Sequence, residues 1–307
     1  MLVAVTGASG LIGTALTRRL RAEGHEVLRL TRSAPTRPDQ AQWDPAAGRL
    51  DPDALAKADA VVHLAAKNLG ERLRWTARIK RELLSSRVEG TALVAHTMAE
   101  LAGSGTGGPR VLVAASGAGF YGDRGDEVLT EESGGGSGFL AEVCRQWEAA
   151  TDPAREAGLR VVHLRTGPVQ DMAGGGLPKQ VAIFRLGLGG RLGSGRQWLA
   201  WTSLDDIAGA YLHALTHDEL DGPVNNVAPN PVTNAEFTAT LARVLGRPAL
   251  LPVPELGPKL VLGQAGEEFL FFSQRAHPVR LLETGYRFQF PDLEPALRHT
   301  LNRPQPG

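Results

Sequence analysis

The sequence predicts an α/β protein: a doubly wound parallel sheet followed by a smaller C-terminal α/β lobe. Three observations carry this. An apolar run of strand type, Met1-Leu-Val-Ala-Val5, passes without a spacer into Thr6-Gly-Ala-Ser-Gly10-Leu-Ile-Gly13 and then into an amphipathic helical pattern through Leu16 and Leu20. Further apolar runs recur at residues 25–30, 60–64, 110–115 and 159–164, with helical patterns between them. Strands separated by helices imply parallel pairing with helices on both faces. After about Arg165 the chain turns rich in glycine and proline, and short helical pieces near 205–216 and 234–245 alternate with short strands such as 223–227. Residues 1–165 are therefore expected to form the sheet domain and 166–307 the smaller lobe, which includes a C-terminal module at about 248–297.

The opening strand, glycine turn and helix form the context of a dinucleotide-binding loop of Rossmann type. Gly7 allows the sharp turn out of the strand. Gly10 lets a pyrophosphate approach the backbone, and Gly13 lets the helix pack close to the sheet. Amide groups at the helix start then face the anion, aided by the helix dipole. The Gly-x-x-Gly-x-x-Gly spacing is one residue longer in its first gap than the pattern of ordinary dehydrogenases. Thr6, Gly7, Ser9, Gly10, Leu11, Ile12 and Gly13 are the residues expected at the cofactor. Leu64, Ala65 and Ala66, which follow the strand at Ala60, add a stretch of backbone for it to lie against. Residues 75–101 form the longest helical pattern, 102–109 a flexible loop and 134–138 a second glycine-rich break.

Size and charge narrow the function. The chain has 307 residues, 42% of them hydrophobic, and a formal net charge of zero. That is enough chain for a large core and offers no basic field for nucleic acid or an anionic membrane. No apolar stretch approaches the ~20 residues of a membrane span. The first strand is part of the fold, so no signal peptide is expected. Cys144 is the only cysteine, which excludes an internal disulfide and suits a cytoplasmic protein. Lone His63 reads as a packed or hydrogen-bonded side chain, and no ligand spacing points to a metal.

The end of the second strand bears on cofactor choice. An NAD-preferring site usually places an acidic residue there to hold the adenosine ribose. Here the strand ends in Leu30-Thr31-Arg32-Ser33. Arg32 offers a planar fork of donors suited to a phosphate, with hydroxyls on Thr31 and Ser33 beside it. The preference expected is NADP(H) over NAD(H).

Several ordered segments resemble one family across nearly the whole chain. They include Trp43-Asp-Pro45, Arg74-Trp75, Ser86-Arg-Val-Glu-Gly-Thr91, Tyr121-Gly-Asp-Arg-Gly-Asp-Glu127 and Phe139-Leu-Ala-Glu-Val-Cys-Arg-Gln-Trp-Glu148. In the second half come Arg185-Leu-Gly-Leu-Gly-Gly190, Gly193-Ser-Gly-Arg-Gln-Trp198 and Trp201-Thr-Ser-Leu-Asp-Asp206. The chain is similar to extended short-chain dehydrogenase/reductases, the nucleotide-sugar epimerase and dehydratase group. Within it the match is to the atypical branch called epimerase family 39U-like. The resemblance implies a C-terminal module of unassigned function over the 248–297 region.

Active members of that superfamily use a tyrosine with a lysine four residues later, plus a serine, as a tuned acid–base set. This chain has three tyrosines, Tyr121, Tyr211 and Tyr286, followed four residues on by Gly125, Leu215 and Phe290. No Tyr-x-x-x-Lys exists. Alignment on the family places Leu140 at the tyrosine, Cys144 at the lysine and Gly117 at the serine, with Ser116 one residue earlier. General acid–base assistance typically contributes ~10²–10⁴-fold in rate, so ordinary epimerase or ketoreductase chemistry would be slow without substitutes.

The candidate substitutes are Tyr121 and Ser116, with Ser116 also beside the cofactor. Tyr121 reads equally as a phenol donor or a packing residue. Asp123, Arg124 and Glu131 share its loop, where a substrate could reach them. Asp123, Arg124 and Asp126 also read as a solvated turn. Cys144 reads as a small apolar filler. Substrate contacts are expected from Tyr121, Arg124, Arg196 and Trp198, with Arg196 as anion anchor beside an aromatic; a plain surface arginine is the other reading. Asp205 and Asp206 suit a helix start and read as structural. Lys80 and Arg87, seven apart, share one face of the long helix; that face could point toward a ligand phosphate, and a solvated face is the favoured reading. The expected function is an NADP(H)-binding oxidoreductase or epimerase-like protein for a small polar or anionic substrate. The alternative is a non-catalytic NADP(H)-sensing or interaction module. A homodimer is expected by analogy with related folds.

Overall fold

The computed structural model describes residues 1–70, 74–105, 107–249 and 252–305. Thr106, within the 102–109 loop, and Leu250 and Leu251, within the C-terminal module, lie outside the described residues. An eight-stranded sheet forms the centre, in the order Gly222–Asn226, Arg160–Thr166, Val111–Gly117, Ala60–His63, Leu2–Thr6, Glu26–Thr31, Gln40–Asp44 and Arg49–Leu50. All neighbours are parallel except the last pair, Gln40–Asp44 with Arg49–Leu50. This is the Rossmann-type arrangement that alternating strands and helices dictate.

Alternation along each strand sorts its side chains between two cores. Val3, Val5, Val62, Val113 and Val162 face Leu16 and Leu20 of the helix Leu11–Ala22 and Ile207, Tyr211 and Leu215 of Leu204–Thr216. Ala4, Val61, Leu112 and Val161 face the other way, onto Val94, Met98 and Leu101 of the long helix Ala77–Ser104. Both faces are covered, so the central strands are apolar at nearly every position.

The second half does not separate at residue 165 as expected. Gly222–Asn226 pairs in parallel with Arg160–Thr166 and forms the edge of the main sheet, and Leu204–Thr216 packs on its face. The cause is burial: Val224 has no exposed surface and belongs to the sheet core. The smaller lobe has its own core of Leu177, Val181, Phe184, Trp201, Phe237, Leu241, Phe290 and Leu297. Its helix Asn234–Leu245 opens on a capping box between Thr233 and Glu236 and closes at Gly246 in the left-handed region. Among the described residues no helix is long and apolar enough to cross a membrane.

Candidate functional site

The first strand sits where the strand order reverses, with Glu26–Thr31 on one side and Ala60–His63 on the other. Ligands of open α/β sheets bind beyond the carboxyl ends of strands at such a point. Thr6 closes the first strand there. Its Oγ1 accepts the amides of Leu64 at 3.0 Å and Ala65 at 3.2 Å and lies 2.9 Å from His63 Nδ1. With both amides donating to it, the hydroxyl proton goes to Nδ1, which leaves the ring proton on Nε2. Burial lowers the His63 pKa to about 4, so this ring is a neutral structural pivot.

The three glycines have different tasks. Gly7 has φ +67°, and a Cβ there would lie 2.9 Å from Ala65 N. A Cβ on Gly13 would lie 2.2 Å from Gly7 O. Both positions are closed by the protein's own backbone. A Cβ on Gly10 would meet only Gly7 O, at 3.3 Å; Gly10 and Ser9 are exposed. The helix Leu11–Ala22 begins at Gly10 with no side-chain cap and no acidic residue in its first turn. Its first amides are therefore available to an anion. Leu11 and Ile12 are half-buried at this end, as are Leu64 and Ala65 across the turn, while Ala66 is exposed. Thr6 and Gly13 are buried, so they shape the cradle from behind.

Arg32 is exposed immediately beyond the second strand, and its side chain has no partner among the described residues. Its neighbours Arg29 and Arg21 are both taken by Asp39. Thr31 donates its hydroxyl to Ser33 O at 2.9 Å. The open cradle at the end of the first strand fits the diphosphate of a dinucleotide.

The expected proton donors have a different setting. Tyr121 has no exposed surface. Its hydroxyl lies 2.7 Å from Asn225 Oδ1 and 3.0 Å from Thr130 O and accepts from Arg165 Nη1 at 3.2 Å. Burial raises its pKa, only partly offset by Arg165. Tyr121 is thus a buried brace between the 121–130 loop and the sheet edge, which corrects the reading of it as a donor at the substrate. Ser116 is 5% exposed and donates to Glu148 Oε1 at 2.6 Å. Glu148 in turn holds Arg165 by two bonds, at 2.9 and 2.8 Å, and Arg165 lies 3.4 Å from the centre of the Phe120 ring. Burial would raise the Glu148 pKa, but Arg165 outweighs it and holds the carboxylate below its usual range. Sequence reading missed Glu148, Arg165 and Asn225.

The other loop candidates are likewise committed. Arg124 donates to Glu127 at 2.8 Å and to Gly134 O at 2.9 Å, and Asp123 accepts the Ser273 amide at 3.0 Å. Glu131 is buried and accepts the amides of Asn225 and Arg280. Trp198 donates to Asp126 at 2.9 Å, and the cation over its ring is Arg275 at 4.3 Å. The expected Arg196–Trp198 pairing is therefore replaced by Arg275–Trp198, while Arg196 is exposed. Asp206 is buried and accepts from Ser203 and from the amides of Gln289 and Phe290, a structural role.

The positions aligned with the missing pair are packed. Leu140 joins Trp75, Leu83 and Ala265 in an apolar cluster. Above it, Glu268 of the C-terminal region caps the helix Phe139–Ala149, accepting the amides of Phe139 and Leu140 at 2.8 Å each. Cys144 Sγ donates to Gly117 O at 3.5 Å, and burial pushes the thiol up to about 11. It is a neutral filler at ordinary pH. Lys80 is tied to Gln264. Arg87 departs from the solvated-face reading: it is 4% exposed, because the long helix is covered along this side by Phe139–Ala149.

The model of the NAD dependent epimerase/dehydratase family matches residues 3–228, and a domain of unknown function matches 253–300. An epimerase family protein of Mycobacterium bovis is 42% identical over 302 residues, covering 98% of each chain. Human epimerase family protein SDR39U1 is 37% identical over 300 residues, covering 97% of this chain and 99% of its own. Its crystal structure with NADPH matches with a TM-score of 0.86 at 36% identity, covering 98% of this chain and 99% of that one. A Corynebacterium glutamicum structure described as a nucleoside-diphosphate sugar epimerase matches with a TM-score of 0.81 at 39% identity; it covers 98% of this chain, which spans 58% of that protein. The chain belongs to the NAD dependent epimerase/dehydratase family, close to its SDR39U1 branch.

Proposed function

We propose that this protein binds NADP(H) in preference to NAD(H) and uses it in oxidoreductase or epimerase-like chemistry on a small polar or anionic substrate in the cytoplasm. The observation that carries the cofactor choice is Arg32: a free, exposed guanidinium at the end of the second strand, where an NAD site would carry a carboxylate. The similar human SDR39U1 structure was obtained with NADPH, which supports the same preference. Gly7, Gly10 and Gly13 shape the cradle, and the amides of Leu11 and Ile12 and the Ser9 region would face the diphosphate. Leu64, Ala65 and Ala66 supply the adjoining wall. When bound, the cofactor supplies or accepts hydride; the chain's own contribution is to orient it and exclude water.

Ser116 lies at the carboxyl end of its strand with its proton on Glu148, and Arg165 keeps that carboxylate ionised. Ser116 precedes Gly117, the residue aligned with the missing serine. Arg196 is exposed in the second lobe and is free to meet an anionic substrate.

A second reading rests on the packing at Leu140. Leu140, aligned with the tyrosine, packs with Trp75, Leu83 and Ala265, as a non-catalytic NADP(H) sensor would permit. Steady-state NADPH oxidation against a panel of carbonyl compounds and nucleotide sugars separates the two. Turnover of any panel member supports the enzyme. Failure across the panel with tight NADPH binding supports the sensor.

A further inference from the structure

Arg87 is a buried cation whose charge no carboxylate among the described residues offsets. Its side chain projects from the Ala77–Ser104 helix toward Phe139–Ala149, with Cζ 4.9 Å from the centre of the Trp147 ring. Nη1 donates to Leu83 O at 2.9 Å. Nε is buried with no acceptor among the described residues, and Nη2 makes no hydrogen bond to any of them. The free edge of the guanidinium is therefore the Nε–Nη2 side, the geometry that takes two oxygens at once. A buried, unpaired charge is costly unless something else satisfies it. Burial lowers its pKa to about 10, so it stays charged at neutral pH.

The surroundings locate this edge in the fold. Ser86, the preceding residue, accepts the Lys67 amide at 3.2 Å and so ties the helix to the loop after Ala60–His63. Gly90, the next turn of the same helix, lies against His63 and Trp43. Cys144, close enough for its thiol and Arg87 to influence each other, donates to Gly117 O at the carboxyl end of Val111–Gly117. Arg87 thus stands beside the ends of the two strands on one side of the switch point. Arg32 stands on the opposite side, beyond Glu26–Thr31. A dinucleotide with its adenosine at Arg32 and its diphosphate at Gly10 would have its other half on the Arg87 side of the switch point.

We propose that the Nε–Nη2 edge of Arg87 binds oxygens of the nicotinamide half of the cofactor, its ribose and the phosphate joined to it. This rests on the NADP(H) reading and assigns that cation to a position where the chain lacks the superfamily's lysine. The ligand's oxygens would satisfy the two donors that are unpaired among the described residues.

The test measures calorimetric affinities for two probes, NADPH and adenosine 2′,5′-bisphosphate, which carries the Arg32 half but lacks the nicotinamide half. Arg87→Met should weaken NADPH binding roughly ten- to a hundredfold, the worth of charge-assisted hydrogen bonds, and leave the bisphosphate unchanged. Should Arg87→Met fail to fold, Arg87→Lys carries the test: it keeps the charge but loses the planar edge, and should weaken NADPH alone by several-fold. Arg32→Ala should weaken both probes. Unchanged NADPH affinity in either folded Arg87 variant, or equal losses for both probes, would overturn the assignment while leaving the NADP(H) reading intact. Uptake of neither probe by the wild type would overturn both.

Discussion

Arg165 and Glu148 form a two-pronged ion pair, Nε on Oε1 at 2.9 Å and Nη2 on Oε2 at 2.8 Å, with side chains only 5% and 12% exposed. The pair joins the strand Arg160–Thr166 to the helix Phe139–Ala149, and its ends reach Ser116 and Tyr121. Removing one partner leaves the other buried and uncompensated, at a typical cost of about 3–5 kcal/mol. Arg165→Met should therefore lower the unfolding free energy by about that amount. Tyr121→Phe removes a single hydroxyl and should cost about 1–3 kcal/mol, the desolvation penalty of the Asn225 and Arg165 groups it leaves behind. Urea titration of both variants measures the ratio; equal losses would contradict the hierarchy.

The three glycines of the first turn should respond differently to alanine. Gly13→Ala drives a Cβ to 2.2 Å from Gly7 O and Gly7→Ala forces φ +67° on an alanine, so both should lose stability. Gly10→Ala meets one backbone oxygen at 3.3 Å and should keep a near-normal Tm. It should nonetheless weaken NADPH binding, because the methyl group would stand at the proposed diphosphate site. Thermal melts paired with titrations would show the split, and a Gly10→Ala variant with full affinity would count against the cradle.

Acid should destabilise the fold before the carboxylates titrate. Burial lowers the pKa of His63 and of His163 from 6.5 to about 4. Between those values the unfolded chain takes up protons that the folded chain does not, so stability falls as pH drops from 6.5 toward 4. Complete passage corresponds to on the order of 3 kcal/mol per histidine. Glu148 adds to the same trend lower down: its folded pKa is depressed, so its contribution is present above the usual carboxylate range and is lost as pH falls through the folded value. Denaturant midpoints at pH 7.5, 6 and 4.5 should decline in that order, less steeply in His63→Gln. A flat profile would reject the neutral-pivot role.

The apolar packing at Leu140 carries its own expectation. Glu268→Ala removes the acceptor for two amides at the start of Phe139–Ala149 and should cost about 1–2 kcal/mol, as loss of a helix cap does. Affinity for NADPH should hardly change, because the cap lies over the tyrosine position rather than the phosphate cradle. A large loss of affinity with stability intact would instead place Glu268 at the ligand.

Local features could be read from the chain, and non-local ones could not. The strand–glycine–helix start is contiguous, and its order alone specifies the cradle. The apolar runs at residues 60–64 and 110–115 correspond to Ala60–His63 and Val111–Gly117 because strands buried on both faces need no alternation to be recognised. Gly222–Asn226 begins with Gly-Pro and carries two asparagines; only its pairing with a strand 60 residues earlier makes it part of the main sheet. The strand Gln40–Asp44 was hidden by its two glutamines, though Ala41 and Trp43 alternate inward. Tyr121 looked like a loop residue, and its burial depends on Asn225, 104 residues away. Arg87 looked like a helix-surface residue, and its burial depends on a second helix laid across it.

The cradle at Gly10 and the guanidinium of Arg32 are together proposed to hold NADP(H). Calorimetric titration of ligand-free protein with NADPH and NADH, repeated with Arg32→Ala, tests it most directly. The wild type should bind NADPH more tightly, and Arg32→Ala should erase roughly ten- to a hundredfold of that preference, the range for hydrogen bonds to a charged group. Absence of binding by either nucleotide, or a preference untouched by the substitution, would contradict it.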